Sequence, residues 1–575
     1  MKRTRWILLF AVLFFLAIGA WLWWVRPRTV DMSSYAPADS LLYLEADRPA
    51  EVVDAVTATQ AWKALASAIQ PQPATVQWHW LRGLIAWTGI GPIKSVILAR
   101  AQVAVIVTDL RAVEEGDDLT IKSEGALVIE THTSERRIKG TFEETLKVLA
   151  EETYSHPTSR RVAVDGVEYL EWIAQDGSRQ IVGTVVGSLV VIGTSEHVVQ
   201  TCLAVSQGRS ASLKSDPELK RMRLQLQRGR SLTFGYVPSG NSAKLLAVGL
   251  PLLLGRAPGD SEFQRLVSNG ASKVFGSLGW ASGAYSTGIE DRYLITLQPS
   301  IVARLRPTFG VNNIDFQLQH LLPDDAYSVT CYRFATPAAA WVSLKSAVSS
   351  QVDALSAVVF SSLLKSALLS YGLDDAESFL SAVNGELVTL RLDETAERSI
   401  LIAGVHDRAT LRRILARQMS LNLRNSSPTT EIFEDPTGEV AASLGGDFIV
   451  MGSAADVRRY VGDKERGVAS MTADSLRRIT FFVSTPTSSN VVTYTNDGER
   501  IHNFFSTLLA ANKRPESSEG LEAAIATLPY SSTETTLNER GIERTTRSPL
   551  GQFSTLLPLL FPQRHNPIKD SNHPR

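Results

Sequence analysis

Cysteine, charge of one sign and catalytic signature motifs are all scarce in this chain of 575 residues. Its two cysteines, Cys202 and Cys331, are too few for a disulfide framework. One falls on an expected helix and the other on a strand of a different segment, so both read as small buried hydrophobes. The 58 Lys and Arg nearly cancel the 59 Asp and Glu, leaving a net charge of −1. No whole-molecule field then draws in a polyanion, which argues against nucleic acid as a partner. Gly-x-Ser-x-Gly, Gly-x-Gly-x-x-Gly, Cys-x-x-Cys and His-Glu-x-x-His are all missing. Motif reasoning therefore assigns no catalytic, cofactor-binding or metal-binding residue, and no cofactor.

Apolar runs of spanning length are confined to one place. From Trp6 to Val25 the chain is uncharged, about 20 residues that reach roughly 30 Å as a helix, the thickness of a bilayer core. Lys2, Arg3 and Arg5 precede the run, while Trp6 at one end and Trp21, Trp23 and Trp24 at the other suit the headgroup level. The alternative is a cleaved signal peptide with a small-x-small site at Ala17-Ile18-Gly19, but apolar residues continue past it. The length favours an uncleaved anchor with the N-terminus in the cytoplasm, although Arg26 and Arg28 nearly balance the N-terminal charges. Leu245 to Leu254, interrupted by Gly249 and Pro251, is too short to span and reads as a buried helix.

What the chain does contain is self-similarity. Gly187-Ser188-Leu189-Val190-Val191-Ile192-Gly193-Thr194-Ser195 lines up with Gly446-Asp447-Phe448-Ile449-Val450-Met451-Gly452-Ser453-Ala454, and Gly208 and Gly467 follow at equal spacing. Ala211-Ser212-Leu213 matches Ala469-Ser470-Met471, and the strands Leu127 to His132 and Leu401 to His406 correspond. Thr88-Gly89-Ile90 ahead of Val103 to Ile106 matches Tyr371-Gly372-Leu373 ahead of Glu386 to Thr389. The opening Ala36-Pro37-Ala38-Asp39 recurs as Leu322-Pro323-Asp324-Asp325. Leu232-Thr233-Phe234 and Thr480-Phe481-Phe482 each start a strand that runs to a proline, Pro238 or Pro486.

Within a half, short strands at Gly125 to Thr131, Glu168 to Ile173, Gln180 to Val186 and Leu189 to Gly193 follow one another through tight turns, including a Gly187-Ser188 hairpin. Amphipathic helices intervene. Phe142, Leu146 and Leu149 share one helical face, as do Leu411, Ile414 and Leu415, and Thr141-x-x-Glu144 is a capping-box start for the first. Successive strands without intervening helices imply α+β with a largely antiparallel sheet. The expected organisation is an anchor (1–25), a linker (26–35), a first repeat (36–305), a linker (306–320), a second repeat (321–561) and a disordered tail (562–575).

Each residue that could carry chemistry has a structural reading beside the functional one. The strand-Gly-Thr-Ser-helix passage ending at Val198 could offer backbone N–H groups to a phosphate, but it lacks a P-loop lysine, and Ser195 reads as an N-cap. His132 and His406 stand at equivalent strand ends. Neither has a second ligand at metal spacing on its strand face, and Asp407 points away from His406, so both read as turn residues. His565 and His573 lie in the polar tail.

The acidic pairs Asp117-Asp118, Asp324-Asp325 and Asp374-Asp375 have diverging side chains and read as solvated turns, and Asp39 and Asp325 as turn carboxylates after a proline. Ser362-Leu363-Leu364-Lys365 fits Ser-x-x-Lys, but no Ser-Asp-Asn or Lys-Thr-Gly accompanies it. Lys220, Arg221, Arg223, Arg228 and Arg230 form the densest basic stretch, on a segment made amphipathic by Leu219, Met222 and Leu226. They read as a solvated face, with contact to anionic headgroups as the alternative.

The order of anchor, Pro-Ala-Asp opening at Pro37-Ala38-Asp39, Gly-x-x-x-Ser block and second copy resembles an uncharacterised family of bacterial membrane-anchored proteins with a duplicated domain of unknown function. The matching positions are mostly glycines, prolines and core aliphatics, which bear on fold. The Trp6 to Val25 span and its flanking charges lead to the expectation of a single-pass protein of the inner (cytoplasmic) membrane with most of its chain periplasmic or extracellular. The expected role is a non-catalytic interaction or scaffold protein of the cell envelope, attached to the membrane by its N-terminal helix and engaging an envelope protein partner. A hydrolase or transferase with a non-local active site is the alternative.

Overall fold

The computed structural model describes residues 29–69, 101–253, 261–309, 326–465, 489–511 and 518–555, apart from 116–117, 155, 228–230, 286, 370, 374, 395–397 and 428. Trp6 to Val25, Thr88 to Ile90, Leu322 to Asp325, Gly467 to Met471, Thr480 to Pro486 and the tail lie outside the described residues. Among the described residues no helix is long and apolar enough to cross a membrane.

The fold is α+β, built on a 20-stranded antiparallel sheet. The N-terminal half contributes β1 (Leu42–Ala46), β2 (Gln102–Glu115), β3 (Asp118–Glu130), β4 (Thr158–Val164), β5 (Val167–Ile173), β6 (Gln180–Val186), β7 (Leu189–Gly193), β8 (Ser231–Val237), β9 (Phe275–Ala284) and β10 (Ile289–Leu297). The C-terminal half contributes β11 (Ser328–Arg333), β12 (Val383–Arg391), β13 (Ser399–Val405), β14 (Asn422–Ser426), β15 (Glu431–Glu434), β16 (Val440–Leu444), β17 (Phe448–Ser453), β18 (Val491–Thr495), β19 (Ser531–Leu537) and β20 (Gly541–Ser548).

Hydrogen bonding arranges the first half as β4-β5-β6-β7-β3-β2-β1-β8-β9-β10. The second runs β14-β15-β16-β17-β13-β12-β11-β18-β19-β20, the same order position for position. The halves join where β10 pairs antiparallel with β20, Ile289 opposite Ser548 and Thr296 opposite Gly541. At about 4.8 Å per strand this sheet extends for roughly 90 Å before twist is counted. The strand that pairs β11 as β8 pairs β1 is β18, which starts at Val491 rather than at Thr480.

Alternating burial puts helices on both faces. On one face Val198, Val199, Cys202, Leu203, Leu219, Met222 and Leu226 pack on the inner positions of β1, β2, β3 and β8. Ala454, Val457 and Tyr460 do the same against β11, β12 and β13. On the other face Ile138, Phe142 and Leu146 cover Val185 and Val190. At the centre Trp62 and Leu65 from the first half meet Ile501, Phe504, Leu521 and Ile525 from the second.

The helix expected to start at Thr141 starts at Glu135 instead, after Ser134, and Thr141 lies within it. Its buried stripe is Ile138, Phe142, Leu146 and Ala150, spaced i, i+4, and Leu149 falls outside that stripe and is exposed. Leu411, Ile414 and Leu415 are all buried, and Gly187 takes φ +63° in the β6–β7 hairpin, a conformation glycine adopts without strain. Helix Ser239–Leu253 holds the described part of the run from Leu245, with Ala243 and Ala247 buried.

Candidate functional site

Reading straight across the sheet at its centre, one register position is polar on eight successive strands. Thr233 opposes Ser282, Ser282 opposes Asp291, Asp291 opposes Thr546, and Thr546 opposes Thr533. Thr533 then opposes Thr493, Thr493 opposes Thr330, and Thr330 opposes Thr389. Directly opposed residues of antiparallel strands share a face, so these side chains form one row that crosses the seam between the halves. Neighbouring hydroxyls bond along it, Thr533 to Thr546 at 2.9 Å and Thr330 to Thr493 at 3.1 Å.

Asp291 is the one ionisable member of the row and is wholly buried. The Trp280 indole N–H donates to its Oδ1 at 3.0 Å, and the backbone N–H of Gln552 donates to its Oδ2 at 3.0 Å. Burial pushes its carboxyl up to about 6, against the pull of Trp280 and Gln552 toward the charged form. Asp497, at the start of helix Gly498–Ala511, is also fully buried, and burial raises its carboxyl against the opposing pull of Arg500 at 2.8 Å. The Arg500 guanidinium also pulls the Asp291 carboxyl toward its charged form, as the least of the opposing influences there.

A second charged group lies on the opposite face of the first half. Arg223 donates from Nη1 to Asp31 Oδ1 at 2.9 Å and from Nη2 to Glu45 Oε2 at 2.7 Å, and its guanidinium lies over the Phe234 ring. The Tyr43 hydroxyl donates to the same Glu45 oxygen. Burial pushes the Glu45 carboxyl up to about 7, with Arg223 and Tyr43 opposing. Asp31 moves the other way: burial would raise it, but hydrogen bonds from Ser33 and Arg223 outweigh that and hold it below the usual range.

The residues singled out in the sequence do not converge on either group. Ser195 caps helix Glu196–Ser206 by accepting from Val198 N at 3.4 Å, and Glu196 in the first turn adds a negative charge where a phosphate would sit. His406 follows directly after β13, and His132 stands two residues past the end of β3. His132 takes φ +51°, a turn conformation, but it does have a carboxylate within reach, contrary to the sequence reading. Glu130 lies two residues before it with Oε1 3.8 Å from the His132 ring, and the Tyr35 hydroxyl donates to Glu130 Oε2 at 3.0 Å. Asp407 caps helix Arg408–Arg413 through Thr410 N at 3.0 Å.

Asp375 is likewise a cap, accepting from Ser378 N at 3.1 Å, and Asp39 is exposed in its turn. Asp117, Asp324, Asp325, Asp374, Arg228, Arg230, His565 and His573 lie outside the described residues. Ser362 is exposed on helix Ala354–Leu369, and the Lys365 side chain is outside the described set. Cys202 and Cys331 are buried thiols not joined in a disulfide, on a helix and on β11. Among the described residues no three His, Cys, Asp or Glu side chains are grouped to hold a metal.

Arg223 corrects the reading of the basic stretch as one solvated face. It lies at i+4 from Leu219 and i−3 from Leu226, on the buried side of its helix, and that spacing was the signal to follow. Glu45 carried a comparable sign, since alternation along β1 places it inward beside Tyr43. Asp291 carried none, because its burial depends on the pairing of β10 with β20, far apart in sequence. No known protein-family model, curated protein or solved structure matches the chain.

Proposed function

We propose that the chain is a non-catalytic platform of a bacterial cell envelope, held to the membrane by Trp6 to Val25, with its sheet outside the cytoplasm. We infer also that the sheet arose by duplication, from residues 36–305 and 321–561. The observation that carries the reading is the seam. Two ten-strand halves of equal order are fused into one sheet by β10 and β20, and partly buried ion pairs cross the seam between them. Arg547 donates to Glu290 at 2.8 Å and to Glu534 at 3.2 Å, and Arg540 pairs with Glu218 across the halves. Buried charges consumed in mutual pairing have little left for a substrate, whereas a long continuous sheet offers an extended surface.

Two measurements test this. A phosphatase fused after Arg575 should be active and a fluorescent cytosolic reporter dark there; the reverse would overturn the topology. Affinity capture of the full chain from detergent-solubilised membranes should retain an envelope protein, and charge reversal on an exposed face should release it. A purified ectodomain that turned over a substrate would support the hydrolase or transferase alternative.

A further inference from the structure

Helix Pro217–Leu226 packs directly on the first described residues of the chain. Val30 is pinned at 2.7 and 2.8 Å to the side chain of Gln102, and Asp31 is held by Arg223 of this helix. Leu213 N bonds to Ala36 O at 2.9 Å and Ala38 N to Ala211 O at 3.1 Å, so the turn preceding the helix clasps the same segment. Val25, the last residue of the apolar run, is five residues from Val30, a reach of at most about 18 Å. A helix anchored by Trp6 to Val25 therefore delivers the bilayer surface to within that distance of Val30.

The buried side of Pro217–Leu226 is Leu219, Met222 and Leu226. Its outer side is Pro217, Lys220, Arg221 and Leu224, spaced as one helical stripe and all exposed. Leu224 is 83% exposed, the most open of the large hydrophobic side chains in the described residues. Lys214, in the clasping turn, is also exposed. The carboxylates on this helix are engaged: Asp216 caps its start and accepts from the Tyr236 hydroxyl at 2.7 Å, and Glu218 pairs with Arg221 at 3.1 Å and with Arg540. Cations around a protruding leucine match the headgroup layer of an anionic bilayer, where aliphatic side chains enter and Lys and Arg meet phosphate.

We infer that the outer face of helix Pro217–Leu226, with Lys220, Arg221 and Leu224, docks on the anionic phospholipid surface beside the chain's own anchor and so fixes the orientation of the sheet relative to the membrane. The inference rests on the anchor reading, and its test separates the two.

The full chain carrying Leu224→Cys is labelled with a polarity-sensitive fluorophore, buried Cys202 and Cys331 staying unlabelled, and is reconstituted into vesicles of equal parts phosphatidylglycerol and phosphatidylcholine. A parallel label at Leu423→Cys, 54% exposed on the far edge strand β14, serves as the control. The expected result is a blue shift and quenching by lipid-borne quencher at position 224 alone, lost in pure phosphatidylcholine. Lys220→Glu with Arg221→Glu should reduce docking by roughly fivefold or more for each charge altered. Alkaline carbonate extraction reads the anchor independently. A chain retained by the vesicles but giving no shift at position 224, or equal shifts at 224 and 423, would overturn the docking while leaving the anchor intact. Release by carbonate would overturn both.

Discussion

Arg547 on β20 donates from Nε to Glu290 Oε2 on β10 at 2.8 Å, across the strand pair that joins the two halves of the sheet. Both side chains are mostly buried, and Arg547 also separates Glu290 from Glu534. Arg547→Ala removes the cation that Glu290 and Glu534 share, leaving Glu290 with Arg292 alone, and is expected to cost about 2 kcal/mol in urea denaturation. Glu290→Ala with Arg547→Ala should cost less than the sum of the single changes, by about 1 kcal/mol or more. Additive losses would mean that the pair does not hold the seam.

The same seam depends on Gly541. Its φ of +148° lies in a region closed to most side chains, and an added Cβ would overlap the Ile295 carbonyl and sit 2.8 Å from Leu297 N. Both obstacles are backbone of β10, so neither can turn aside. Gly541→Ala is expected to lower stability by about 3 kcal/mol and to raise amide exchange in β10 and β20 before other strands. Exchange rising evenly over the chain would count against a local seam effect.

Two of the raised carboxyls, Glu45 and Asp291, give stability a definite direction with pH. Glu45, pushed up to about 7, and Asp291, pushed up to about 6, bind protons in the folded state at pH values where the unfolded chain has released them. Their contribution is complete below the ordinary carboxylate range and is lost as pH rises through about 6 for Asp291 and about 7 for Glu45. Carboxylates held low, such as Asp31 and Asp456, act in the opposite sense, so the comparison is between variants. The urea midpoint of Glu45→Gln or Asp291→Asn, relative to wild type, should rise from mildly acid to neutral pH. A constant difference would mean that these groups are ionised throughout.

Burial also pushes the Cys202 thiol up to about 12. With Cys331 buried on β11, the native chain should leave both thiols unmodified by an aromatic disulfide reagent and should release two equivalents once denatured. Rapid native labelling, or a disulfide found by mass spectrometry, would contradict the burial.

Much of the sheet could be read from sequence because local chemistry specified it. Leu189 to Gly193, the Gly187-Ser188 turn and the Ser195 cap are encoded within a dozen residues, and the corresponding block around Phe448 places β17 as β7 is placed. The failures have equally physical causes. Thr141-x-x-Glu144 satisfies a capping pattern, yet Ile138 one turn earlier gains a buried place against the sheet, and tertiary packing extends the helix back to Glu135. The polar row was invisible because its members, seven hydroxyls and Asp291, are ordinary strand residues until eight strands are in register. Arg223 looked like one of several surface cations, and only its helical phase set it apart.

The remaining prediction bears on catalysis. His132 and His406 are the histidines that stand at equivalent strand ends, so a shared chemical role would require both. In the structure their surroundings differ: His132 sits in a left-handed turn beside Glu130 and Tyr35, whereas His406 donates its backbone N–H to Ala382 O at 3.0 Å ahead of the Asp407 cap. A duplicated acid-base function is poorly served by one ring with a carboxylate neighbour and another placed by a backbone bond. His132→Ala with His406→Ala is therefore expected to leave abundance, partner capture and cellular phenotype unchanged, with stability within about 1 kcal/mol of wild type. Glu130→Gln is the companion variant, since it keeps the shape beside Tyr35 but removes the charge facing His132. If the histidine double variant folded normally yet lost the phenotype, and Glu130→Gln lost it too, a site built on His132 would displace the platform reading.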